Sequence, residues 1–143
     1  MTAKEYLRKA YRLDQQIDSH VAELEHLREL STRIQGSNFG ERVSSTRGTE
    51  ASYTRIIDKI ADMQQRINAE IDTLVDLRAE LDAAIGRVSD VDERLLLRYR
   101  YINNDSWGDI AKALNVSSRT VHRIHSSALQ NFVIPNEGWH SLP

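Results

Sequence analysis

The stretch Ile110-Ala111-Lys112-Ala113-Leu114-Asn115-Val116-Ser117-Ser118-Arg119-Thr120-Val121-His122-Arg123-Ile124 places in fifteen residues the features that two short helices crossing over a tight turn require. Such a crossing, at roughly 90–120°, needs a small residue where the helices touch, and Ala111 provides it. The shared core needs apolar side chains, and Ile110, Leu114, Val116, Val121 and Ile124 supply them. The turn needs a left-handed backbone, which Asn tolerates better than most residues, and Asn115 stands there. Ser117 is a preferred residue type for capping the second helix. The spacing therefore predicts a helix from about Trp107 to Leu114, a turn, and a last helix from Ser117 to about Phe132. Together they form a helix-turn-helix.

The second helix is left with an outward set of Ser118, Arg119, Thr120, His122, Arg123 and Ser126. Residues 110–132 also contain Lys112 and carry no acid, so an anionic partner should meet this end of the chain. A helix presented in this way can lie in the major groove of double-stranded DNA. Arginine pairs bidentately with guanine, and Ser or Thr can bond bases or phosphates. The expectation is that Arg119 and His122 read bases, that Lys112, Ser117, Thr120 and Arg123 hold phosphates, and that Ser118 does either. Ser126 lies further along the same face. The bland alternative is an ordinary solvated helix face.

Toward the N-terminus, Ser106 caps the first of these helices. Ser89-Asp90 caps an earlier one that opens with Asp92 and Glu93, acids well placed for the helix dipole. Trp107 reads as a core anchor, and of Tyr99 and Tyr101 one should pack and the other face solvent. Before residue 90 two long apolar stripes dominate. The first, Leu7, Ala10, Leu13, Ile17, Val21, Leu24, Leu27, Leu30 and Ile34, advances in steps of three or four and predicts a helix from about Thr2 to Gln35, ended by Gly36. The second begins near Thr49 or Ser52. It passes through Tyr53, Ile56 or Ile57, Ile60, Met63, Ile67, Ile71, Leu74, Leu77, Leu81, Ile85 and Val88. Between them, Gly36 to Thr49 is rich in Gly, Ser and Thr and reads as a loop. Two matched stripes joined by one loop predict a coiled-coil-like antiparallel hairpin. Its leftover apolar surface suits a second copy of the chain, a dimer being favoured, or else the third or fourth helix of the same chain.

The C-terminal pattern also carries a family resemblance. Leu97-Arg98-Tyr99, followed by Trp107-x-x-Ile110-Ala111-x-x-Leu114-x-Val116-Ser117-x-Arg119-Thr120-Val121-x-Arg123-Ile124-His125-x-x-Ala128-Leu129, resembles region four of bacterial sigma factors. It is more similar still to the corresponding domain of small phage and prophage proteins, some of them late-gene transcription regulators. The resemblance spans about residues 91 to 132. It implies promoter or operator DNA as ligand, Arg119 and Arg123 on the reading helix, and RNA polymerase as a candidate partner. Nothing in the chain resembles the other sigma regions, so promoter melting is not implied.

Composition narrows the remaining classes. The chain has 143 residues, 40% hydrophobic and 28% charged, with six glycines, two prolines and no cysteine, which favours helices and leaves no thiol for a disulfide or zinc site. No apolar run approaches the roughly 20 residues that span a bilayer, and the N-terminus lacks a signal peptide's apolar core, so a soluble, cytoplasmic protein is expected. His122 and His125, three apart, lack a convincing third metal ligand. The acids of the second helix are spread over a polar face, and no phosphate loop or nucleophile elbow occurs, so neither an enzyme nor a cofactor is expected. The expected protein is thus all-α, with a hairpin over 1–89, a helix-turn-helix domain over 90–135 and a tail over 136–143. Its expected role is a sequence-specific DNA-binding transcription regulator of phage or prophage derivation. The alternatives are a DNA-packaging subunit resembling a phage small terminase, and a protein-interaction module that docks on RNA polymerase.

Overall fold

A computed structural model of the chain describes residues 1–38 and 46–135. Among the described residues the protein is all-α, with no strand. The elements are α1 (Ala3–Asn38), α2 (Thr46–Gly86), α3 (Val91–Leu97), a π-helical turn (Arg98–Ile102), α4 (Trp107–Leu114) and α5 (Ser118–Asn131). No helix among these residues is long and apolar enough to cross a membrane. The chain divides into two compact units. One is Asp14–Thr73; the other joins Met1–Leu13 to the chain from Leu74 onward. The expected division at residue 89 is not where these units part, because Tyr6 and Leu7 at the start of α1 are fully buried in the second unit.

In the unit Asp14–Thr73 the two helices run antiparallel. Gln16 Nε2 donates to Glu70 at 2.8 Å, His20 meets the same carboxylate at 2.7 Å, and Arg28 donates to Gln64 at 3.2 Å, so numbers rise on α1 as they fall on α2. Ile17, Leu24 and Ile67 are buried in the seam. Ile71, expected in the stripe, is instead 42% exposed, and Glu70 takes the inner position. Steps of three and four both lead on from Ile67, and the partner that His20 offers to a carboxylate favours the shorter one.

Two glycine readings are corrected. α1 continues past Gly36 to Asn38, and α2 begins at Thr46 with Gly48 inside it. Glycine within a helix costs only about 1 kcal/mol relative to alanine, so a lone glycine does not have to end one. The expected loop over 36–49 is therefore helical at both ends; its middle, 39–45, and the tail 136–143 lie outside the described residues.

In the second unit, Leu81, Ile85 and Val88 of the expected α2 stripe are buried beside Leu96, Leu97, Tyr101, Ile110, Val121 and Ala128. The Tyr6 and Phe132 rings lie 5.7 Å apart, which fixes the first turns of α1 against the end of α5. Burial and the neighbouring Glu80 carboxylate push the Tyr6 hydroxyl above its ordinary pKa. Asp90 caps α3 as expected, accepting from the Glu93 amide at 3.0 Å. Glu93 itself is buried rather than merely facing the helix dipole: it accepts from Asn131 Nδ2 at 2.7 Å and from Ser127 Oγ at 3.4 Å, tying α3 to the last turns of α5. Arg94 donates to the Val88 carbonyl at 2.8 Å, and Arg98 pairs with Asp82.

A candidate nucleic-acid interface on the last helix

The turn that aims α5 forms from its own residues. Ser106 Oγ accepts from the Asp109 amide at 3.2 Å and opens α4. Asn115 closes α4 in the left-handed conformation, φ 56° and ψ 49°, and the Val116 amide reaches back to the Ala111 carbonyl at 3.0 Å. This backbone bond satisfies a carbonyl that the helix end would otherwise leave open. Ser117, extended at φ −77° and ψ 161°, then caps α5 by accepting from the Thr120 amide at 3.2 Å.

Along α5, Val121, His125 and Ala128 form the buried stripe, at steps of four and three. Ser118, Arg119, His122, Arg123 and Ser126 are exposed on the opposite side, and the helix carries no acid. These five are brought together as one polar, cationic face about 12 Å long. Lys112 is exposed in the last turn of α4, outside that row. Ser117 is exposed, yet its hydroxyl is engaged: besides capping, it donates to Thr120 Oγ1 at 3.0 Å, and Thr120 is only half-exposed. These two hydroxyls would have to exchange an internal bond for a phosphate.

The electrostatics along the face are uneven. Arg123 opens on a groove of about 300 Å³ that it shares with Asp90, Asp92 and Glu93. The Arg119 end of α5 has no acid among its own residues. Arg119 lies instead in the first turn of α5, where the helix dipole adds positive character, the end a reading helix offers to base edges.

An aromatic ladder lies behind this face. The Trp107 ring lies 5.0 Å from the His122 ring and 4.7 Å from that of His125, and the Arg100 guanidinium sits 4.3 Å from the Trp107 centroid. Trp107, half-buried, braces His122 from beneath as well as anchoring the unit. His125 Nε2 and the Tyr101 hydroxyl are hydrogen-bonded at 2.7 Å. Burial first, and then the positive charges of Lys4, His122 and Arg100, lower the His125 imidazole to about 4, so it is neutral at physiological pH. Burial likewise raises the Tyr101 phenol. The pair three apart in sequence thus splits into an exposed His122 and a buried, engaged His125, and no cluster of three metal-ligating side chains occurs among the described residues. His125 was legible as an inner residue, since it continues the step of four from Val121. The expected alternation of Tyr99 and Tyr101 holds for Tyr101, which is buried, but Tyr99 is half-buried: a π-helical turn does not alternate its side chains as a strand would.

A family model described as a protein of unknown function (DUF1492) matches residues 40–132, a span that takes in α2 to α5. No curated protein and no solved structure matches the chain.

Proposed function

We propose, for a chain that belongs to this family (DUF1492) by a match over well more than half its length, a role as a sequence-specific DNA-binding transcription regulator of the phage or prophage kind. The observation that carries the reading is the two-sidedness of α5. Val121, His125 and Ala128 are buried while Ser118, Arg119, His122, Arg123 and Ser126 are open, without an acid on the helix. The turn geometry at Asn115 and the likeness to sigma region four support it. In this reading Arg119 and His122 meet bases, while Arg123, Lys112, Ser117 and Thr120 hold the backbone, with Ser118 and Ser126 beside them. No reaction and no cofactor are assigned.

A homodimer formed through the hairpin completes the proposal. Ile57 and Ile71 of α2, 40% and 42% exposed, are apolar surface that a second copy would cover. Such a dimer would favour two half-sites related by its own symmetry.

Fluorescence anisotropy against DNA flanking the gene, with a scrambled duplex as control and mass measurement in solution, tests the reading. Specific binding should weaken steeply with salt as phosphate contacts release counterions. Arg119→Ala should cost about 1–3 kcal/mol, roughly five- to 150-fold in affinity. A binding curve indifferent to salt, or one unchanged by Arg119→Ala, overturns it. One observation favours a second reading: the acids that share a groove with Arg123 suit a cationic protein surface better than a phosphate backbone. DNA affinity unchanged when Arg119 and Arg123 are both replaced by Ala would support docking on a protein such as RNA polymerase.

A further inference from the structure

Beside the aromatic ladder, within the same compact unit, lies a cavity of about 270 Å³. Lys4, Arg8 and Tyr11 of α1 line one side, and Arg100, Tyr101 and Trp107 the other. Three of its lining residues are cations and none is an acid. Lys4 and Arg8 are exposed and enter no ion pair among the described residues. Arg100 is held in place by the Trp107 ring at 4.3 Å and by a 3.0 Å bond from its Nη1 to the Asp105 carbonyl, which leaves other guanidinium N–H groups to donate. The three charges converge. After burial, Lys4 and Arg100 are among the groups that depress the His125 imidazole, and Arg100 and Arg8 the charges that act on the Tyr101 phenol.

Cations gathered without a carboxylate repel one another, so the arrangement is completed by an anion. Arginine forks and lysine ammonium groups are the usual partners of phosphate oxygens. The volume, about 270 Å³, lies just below the roughly 300–1,000 Å³ of small-molecule pockets, room for a phosphoryl group and part of the molecule that carries it. We propose that Lys4, Arg8 and Arg100 form a phosphate-binding site. The phosphate can come from the backbone of DNA lying on α5, since Trp107 touches both this cavity and His122, or from a free phosphorylated compound. Only the first source rests on the DNA-binding reading. In that case the first turn of α1 extends the interface beyond the helix-turn-helix.

The test uses the full chain carrying Trp139→Phe, which leaves Trp107 as the single tryptophan reporter inside the site. Its fluorescence is followed against inorganic pyrophosphate and, separately, against the duplex from the gene's flank, with anisotropy for the duplex. The same titrations are run with Lys4→Ala/Arg8→Ala, whose exposed side chains can be removed without opening the core, and with Arg119→Ala. Circular dichroism melting checks that each variant keeps its fold. The double variant is expected to lose at least tenfold in affinity for the probe that binds. With the duplex, its slope of log affinity against log salt should also become shallower by about 0.9, the amount for one phosphate no longer neutralised. Loss in the duplex arm assigns the backbone source. Loss in the pyrophosphate arm alone assigns a free phosphorylated ligand, and if no duplex binds, the DNA reading falls while the site stands. If Arg119→Ala weakens duplex binding and the double variant changes neither arm, the DNA reading stands and the phosphate site is overturned. Absence of any response to either probe overturns both.

Discussion

The seam of α2 and the inner stripe of α5 both advance by threes and fours, and each admits one polar residue on different terms. In the hairpin unit Glu70 enters the seam opposite His20, at 2.7 Å, with 17% of the His20 side chain and 13% of that of Glu70 still open to water. In the C-terminal unit His125 enters a drier stripe, 8% exposed, bonded to Tyr101 and neutral. A polar side chain thus takes an apolar position when the facing helix supplies a partner. In the drier place burial holds the imidazole neutral.

The largest effect is expected in the dry unit. Leu96 is fully buried, and Leu96→Ala should cost about 2–5 kcal/mol in chemical denaturation; a smaller loss would show that the core is looser than its burial implies. Acid comes next. Because the folded His125 titrates near 4 and the unfolded residue near 6.5, its neutral form contributes stability that is complete above about pH 6.5 and disappears as pH falls toward 4. That contribution is at most about 3 kcal/mol. Melting curves of the parent and of His125→Phe should therefore converge across this window, and parallel curves would mean that the imidazole is not buried as described. At the turn, Asn115→Ala puts a less tolerant residue at φ 56° and should cost about 1–2 kcal/mol, with Asn115→Gly costing less; equal stabilities would remove the left-handed requirement. The smallest effect sharpens the hairpin side. Measured at a concentration where the chain is monomeric, Ile71→Ser should change stability by no more than about 0.5 kcal/mol, and a core-sized loss there would restore Ile71 to the seam in place of Glu70.

Legibility followed the same contrast. Around Asn115 each residue has a distinct task, and Ser106, Asn115 and Ser117 stand in the structure where their chemistry predicted, so α4 and α5 were bounded to within about one residue. In the long stripes every position resembles its neighbours. The pairing of helices was readable, but the choice between Glu70 and Ile71 depends on a contact 50 residues away. Gly36 and Gly48 misled because a glycine permits a helix end without imposing one. The outward face of α5 followed from its inner stripe. The cavity beside it did not, because Lys4 and Arg8 reach it only through the burial of Tyr6 and Leu7. The π-helical turn left no mark in Arg98-Tyr99-Arg100-Tyr101-Ile102, whose composition suits an ordinary helix as well.

That turn gives the chain one residue of slack. It is closed by the Asn103 amide on the Arg98 carbonyl, five residues back, where an α-helix would close in four. Removing a single residue there would let the segment close as an α-helical turn, leaving the elements on either side in place while turning the residues inside it by as much as about 100°. Arg100 would then leave the Trp107 ring. Among related chains, a one-residue gap at this point should therefore travel with a changed partner for that tryptophan, making the length of the segment as telling as its spelling.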